Sequence, residues 1–127
     1  MTRTWTADEV RGDTRFGEFV SRFDAGRYFA AHEVLEELWL DVEGDERDFL
    51  QGLVQIAVAL EHRTRGNEAG ALKVLRRARG RLGRYGARHA QVALEDLLEA
   101  TDAFVTGRRP EPPRLADTNH ADGRRDR

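Results

Sequence analysis

His32 and Glu36 stand four residues apart in the segment Phe29-Ala-Ala-His32-Glu33-Val-Leu-Glu36-Glu37-Leu-Trp39. On a helix, residues i and i+4 lie one above the other, so an imidazole and a carboxylate at this spacing can pair. Together they can pass a proton, orient a bound group or share a cation. At about 100° per residue, Val34, Leu38, Ala31, Val42, Leu35, Tyr28 and Trp39 form one wide apolar arc. His32 and Glu36 follow at its edge, and Phe29 and Leu40 continue the apolar surface beyond Glu36. The pattern therefore predicts an enclosed Glu36, with Glu33, Glu37 and Asp41 on a solvated face. A buried carboxylate needs a partner, because leaving it unpaired is costly or forces its protonation.

The next apolar stretch supplies candidates. Phe49, Leu50, Leu53, Val54, Ile56, Ala57, Val58, Ala59 and Leu60 surround nearly a whole helix, which marks a central element. A narrow stripe of Asp48, Gln51, Gln55 and His62 interrupts them. Amides and a histidine can donate and accept without a full charge, as a half-buried polar seam requires. This seam is expected to face His32 and Glu36. Three readings follow for the cluster: a satisfied polar network that fixes helix register; a ligand or catalytic pocket; or a divalent-metal site of His32, Glu36 and His62. The zinc-protease pattern would need a histidine where Glu36 stands, and the Glu-x-x-His order of di-iron bundles is absent. Ser21 is the only serine and carries no nucleophile motif.

The elements that must position these residues are helices throughout, because apolar spacing is of the 3, 4, 7 kind. A first helix is expected over about 14–24 and ends at Ala25-Gly26. A second spans about 27–42, and a third about 46–65 after an Asp45 N-cap. Gly66 and Asn67 make a tight turn into a fourth from Glu68, which weakens through Gly80, Gly83 and Gly86. A fifth is expected over about 90–106. No hairpin signal of the Asn-Gly or Asp-Gly type occurs before residue 122. The expectation is an all-α, compact bundle of about five helices in antiparallel pairs, one domain over 1–106. Residues 107–127, rich in Pro, Gly and charge with Leu115 their one large aliphatic residue, are expected to be a disordered tail.

Composition narrows the classes. The chain has 127 residues, 39% hydrophobic and 35% charged, with a formal net charge of −2. It has no cysteine, so thiol chemistry, disulfides and cysteine-type zinc sites are excluded. The start is polar and lacks the apolar core of a secretory signal, and no apolar run is long enough to span a bilayer. A cytoplasmic location with no membrane partner is expected. Trp5 is expected to pack back on the bundle. Lys73, Arg76, Arg77, Arg84 and Arg88 lie in a stretch without acids, opposite Val74, Leu75, Ala78, Leu82 and Tyr85. A nucleic-acid surface is conceivable there, but no recognition motif accompanies the charges. A solvated face balancing the acidic run from Glu33 to Asp48 is the simpler account. His89 and His120 fall in loops with no evident partner.

The His32-Glu33-Val34-Leu35-Glu36-x-x-Trp39 string resembles the signature of a prokaryotic family known as domain of unknown function 309. So does the run Phe49-Leu50-Gln51-Gly52-Leu53-Val54-Gln55, followed by Gly66-Asn67-x-x-Gly70-Ala71-Leu72. The resemblance covers about 16–84. It implies a compact helical domain and no assigned activity. Its motif positions fall on His32, Glu33, Glu36, Trp39, Gln51, Gln55, Gly66 and Asn67, so it includes Glu33 among the site candidates; His62 enters from the seam alone.

Two functions from different classes are consistent with these residues. One is a non-enzymatic scaffold or protein-interaction module, able to bind a protein partner or itself. The paired helices are loosely like tetratricopeptide units, without a clear 34-residue repeat. The other is a small-molecule or metal-dependent enzyme, with His32 as base or ligand, Glu36 orienting it, Gln51 and Gln55 holding a polar substrate and Trp39 as a wall. Access to His32 discriminates them. The residues name no cofactor.

Overall fold

The computed structural model describes residues 2–116. Six helices dominate: α1 (Ala7–Gly12), α2 (Thr14–Asp24), α3 (Tyr28–Asp41), α4 (Asp45–Thr64), α5 (Glu68–Leu82) and α6 (Leu94–Val105). Two pairs of two-residue strands complete it. β1 (Arg3–Thr4) runs parallel to β2 (Val42–Glu43), and β3 (Arg88–His89) pairs antiparallel with β4 (Val92–Ala93). The bundle is all-α in class, as the periodicity predicts. None of its helices is long and apolar enough to cross a membrane, among the described residues.

The helix α1 was not anticipated. Its six residues are too few for a periodic signal, but Thr6 and Glu9 form a capping box that holds it. Asp13 then ends α1 and caps α2, its Oδ1 accepting from the Arg15 amide at 2.8 Å. The predicted helix α4 begins one residue early. Gly44, at φ 85°, takes the N-cap position, and Asp45 joins Glu46 and Asp48 in the first turn.

Both αα turns are built alike. Gly26 and Gly66 sit at φ 78° and 80°, values that glycine adopts without a steric penalty. Each following residue reaches back to the last turn: Arg27 N–H to Arg22 O at 2.9 Å, and Asn67 N–H to His62 O at 2.9 Å. This is the Schellman termination. It folds α2 against α3 and α4 against α5, while the short Val42–Gly44 connection lays α4 along α3. At Gly52 a Cβ would lie 2.5 Å from Leu82 Cδ2, so the Leu82 side chain of α5 packs directly over this glycine of α4.

The core is continuous. Phe16, Phe19, Phe23 and Tyr28 form a ladder of ring contacts with centroids 5.9, 5.6 and 5.5 Å apart. Edge-on contacts of this kind add to the area they bury. α4 is buried on most of its circumference, as its sequence predicts. Trp5 packs against the core and donates from Nε1 to Asp41 O at 3.2 Å.

Two expectations differ from the structure. The fifth helix is expected from about Ala90, yet residues 88–93 form a hairpin, and the helix starts at Leu94. Its turn residues are Ala90 (φ 49°) and Gln91 (φ 63°), without the glycine or asparagine that normally announces such a turn. The tail differs in part: residues 107–116 are placed against the bundle. Leu115 is buried, and Asp24 accepts the Leu115 and Ala116 amides at 2.7 and 3.0 Å. One leucine and one capping carboxylate are enough to dock this segment. The remainder of the expected tail, with His120, lies outside the described residues.

Candidate functional site

Two cavities lie along the boundary of α3 and α4. At one end Tyr28, Phe29, His32, Val58, Glu61, His62 and Arg65 enclose a cavity of about 350 Å³. This is at the small end of ligand-sized pockets, which are mostly apolar with a few placed polar groups. His32 and His62, expected to face each other across these helices, are brought together here. At the other end Trp39, Arg47, Asp48, Gln51 and Arg81 line a second cavity of about 400 Å³. The Arg47 guanidinium sits 3.9 Å from the Trp39 ring centroid, a cation–π arrangement. Gln55 falls between the two along α4. Its Oε1 is buried without a hydrogen-bond partner.

Glu36 corrects the sequence reading. Its side chain is 51% exposed, against 17% for His32. Phe29 and Leu40, expected to enclose it, are themselves 54% and 58% exposed. The helical angles are right, but no element covers this flank, because α3 packs between α2 and α4 on its other sides. Glu33 and Glu37 are exposed, as predicted. Gln51 and Trp39 belong to the far cavity, away from His32. Among the described residues, no three His, Asp or Glu side chains are gathered as a metal site would need, so His32, Glu36 and His62 do not form the ligand set considered for them.

The hydrogen bonds fix the histidine tautomers. His32 Nδ1 lies 2.8 Å from the Phe29 carbonyl oxygen. A carbonyl only accepts, so Nδ1 carries the proton and donates. In the neutral ring Nε2 then holds the lone pair, 3.5 Å from Glu36 Oε1. His62 is the opposite case. Asn67 caps α5, its Oδ1 accepting from the Gly70 amide at 2.9 Å. That orients its Nδ2, a donor, toward His62 Nδ1 at 3.3 Å. Nδ1 must accept, so the proton of neutral His62 is on Nε2. Burial raises the Tyr28 hydroxyl above its ordinary value, with Asp24 adding to the effect.

The basic stretch divides. Arg81 pairs with Asp48, while Arg84 reaches Asp45 at 3.0 Å and Asp48 at 3.3 Å, joining α5 to α4. This is the balancing role expected from charge. Lys73, Arg76 and Arg77 are exposed on α5, and Arg88 lies in β3.

One pair was missed. His89 is expected in a loop with no evident partner, but its Nε2 lies 2.8 and 3.0 Å from the two Glu46 oxygens, and both side chains are largely buried. Phe49 and Tyr85 pack on the ring with centroids 4.6 and 4.8 Å away. No spacing rule links residues so far apart in the chain; the only signal was an acid among the buried positions of α4.

The model of a family described as Domain of unknown function (DUF309) matches residues 16–74. Those residues are similar to that family. The match spans α2, α3, α4 and the first half of α5. The chain is also 40% identical over 60 residues to the Uncharacterized protein YpuF of Bacillus subtilis (strain 168), covering 46% of this chain and 34% of that protein. It thus spans about a third of the length of that curated relative. Neither description names an activity, and the function of the domain of unknown function 309 segment is unknown. No solved structure matches the chain.

Proposed function

We propose that this protein is a non-enzymatic helical recognition module whose exposed α3 flank takes a basic, amphipathic helix of a protein partner. One observation carries this reading: Phe29 and Leu40 are exposed at opposite ends of α3, with the exposed acids Glu33, Glu36 and Glu37 between them. The other large apolar side chains among the described residues are buried or half-buried, and apolar anchors interleaved with charge are how one helix receives another. The acids call for a partner with lysine or arginine between its apolar residues. A cytoplasmic location belongs to the same reading.

An 18-residue leucine/lysine peptide tests it by backbone amide shifts. Saturable shifts along 29–40, weakened by Phe29→Ser/Leu40→Ser and absent with a leucine/glutamate peptide, are expected. Equal response to both peptides, or shifts confined to other surfaces, overturns it.

A further inference from the structure

The second cavity, of about 400 Å³, is lined by Trp39, Arg47, Asp48, Gln51 and Arg81. Its polar atoms are unevenly matched. Arg47 is half-buried, with its guanidinium 3.9 Å from the Trp39 ring centroid. Among the described residues that guanidinium has no carboxylate partner and no hydrogen bond. Stacking covers a face of the group and leaves its N–H donors, which lie in its plane. Gln51 is half-buried too, and its amide makes no hydrogen bond among the described residues.

The acid in the lining is already occupied. Asp48 Oδ1 accepts from Arg81, and its Oδ2 lies 3.3 Å from Arg84 Nη1. Arg81 commits only Nη1 to this pair and keeps the N–H groups of Nε and Nη2. The wall therefore carries free donors from Arg47, Gln51 and Arg81, while two arginines take up its carboxylate. The complement of such a set is a group that only accepts, an oxyanion.

Charge narrows the choice. Two cations and one anion line the cavity, an excess of one positive charge. A carboxylate neutralises that excess, whereas a phosphate dianion overshoots it beside Asp48 and Asp45. The guanidinium fork also matches two oxygens in one plane. The volume exceeds that of a carboxylate alone and admits an organic body against the Trp39 ring.

We propose that this cavity binds the carboxylate of a small organic acid. Arg47 holds the two oxygens with its planar fork, Arg81 and Gln51 donate from the opposite wall, and Trp39 fixes the plane of Arg47. Asp48 is a positioning residue, because it holds Arg81 at the wall. The proposal does not rest on the helix-docking reading.

Benzoate, benzamide and phenyl phosphate share a ring and differ in the group they present. Each can be titrated near neutral pH and at low salt, following backbone amide, arginine Nε–H and indole N–H shifts. Benzoate is expected to bind about ten- to hundredfold more tightly than benzamide, the range of one hydrogen bond between charged groups. It should also bind more tightly than phenyl phosphate. Saturable shifts are expected at Trp39, Arg47, Gln51 and Arg81. Arg47→Gln should abolish the preference for benzoate over benzamide in a protein that stays folded. Arg47→Lys keeps the charge without the fork and should restore only part of it. Gln51→Glu adds a like charge and should weaken benzoate without weakening benzamide.

Equal binding of benzoate and benzamide, tighter binding of phenyl phosphate, or benzoate shifts confined to the exposed Lys73, Arg76 and Arg77 overturns the proposal. So does the absence of saturable benzoate binding. These outcomes are all read on the unaltered protein. A folded Arg47→Gln that retains the benzoate preference overturns it as well. Benzoate reports on this cavity without the leucine/lysine peptide, so either reading can fail alone.

Discussion

Glu46, in the first turn of α4, holds His89 of β3 with both carboxylate oxygens, 2.8 and 3.0 Å from a single ring nitrogen. The pair fastens the hairpin before α6 to the central helix. The Phe49 and Tyr85 rings complete its enclosure.

His89→Ala removes this bond and the ring contacts together. A loss of about 2–3 kcal/mol is expected by denaturant unfolding. A double-mutant cycle with Glu46→Ala should return a coupling of at least about 0.5 kcal/mol. Strict additivity would mean that the contact contributes no stability.

Ala90 and Gln91 close the same hairpin in the left-handed region, at φ 49° and 63°. A side chain is penalised there by about 1 kcal/mol or more. Ala90→Gly is expected to raise stability by about 0.5–1 kcal/mol. A destabilised variant would show that the Ala90 methyl, itself buried, contributes more than the strain costs.

Gly52→Ala drives a methyl into Leu82. Overpacking of this kind costs about 1–3 kcal/mol. Leu82→Val makes room, so the double variant should lose less than the sum of the two. Thermal unfolding of all four proteins measures it.

Asp13 carries the expected acid sensitivity. The side-chain hydrogen bond from Arg15 holds its carboxyl below the ordinary value of 3.8, outweighing burial, which acts in the opposite sense. Arg15 also binds Asp41 at 2.8 Å, tying the start of α2 to the end of α3. A carboxyl lowered on folding contributes stability above its unfolded value, and that contribution is lost as pH falls through the folded one. Part of the acid unfolding below about pH 4 should therefore vanish in Asp13→Asn, which keeps an N-cap acceptor. Stability curves between pH 2 and 6 compare the two; parallel curves would remove Asp13 from the account.

Much of this fold was legible because α2 to α5 are periodic and because α2 and α4 end at glycines whose positive φ has a clear residue preference. Residues 88–93 were not, since nothing in Ala90-Gln91 announces a left-handed turn. The site divides in the same way. Helical angles put His32 and His62 on facing surfaces, and the structure brings them together. The same angles put Glu36 between Phe29 and Leu40, but periodicity cannot say whether another element covers a flank, and here none does. The Glu46–His89 pair was hidden because both ends depend on where the hairpin lands. Thr6-x-x-Glu9 has the capping-box pattern, but α1 is too short to add a periodic signal to it.

The aromatic ladder has a further consequence. Its last rung, Tyr28, shares the wall of the His32 cavity with Phe29. Random mutagenesis scored by peptide binding should therefore return hits at Phe16, Phe19 and Phe23 as well as at Phe29. A map of binding defects would spread down α2 and blur into the map of stability defects. Surveys that alter only the exposed α3 flank would undercount the residues on which recognition depends.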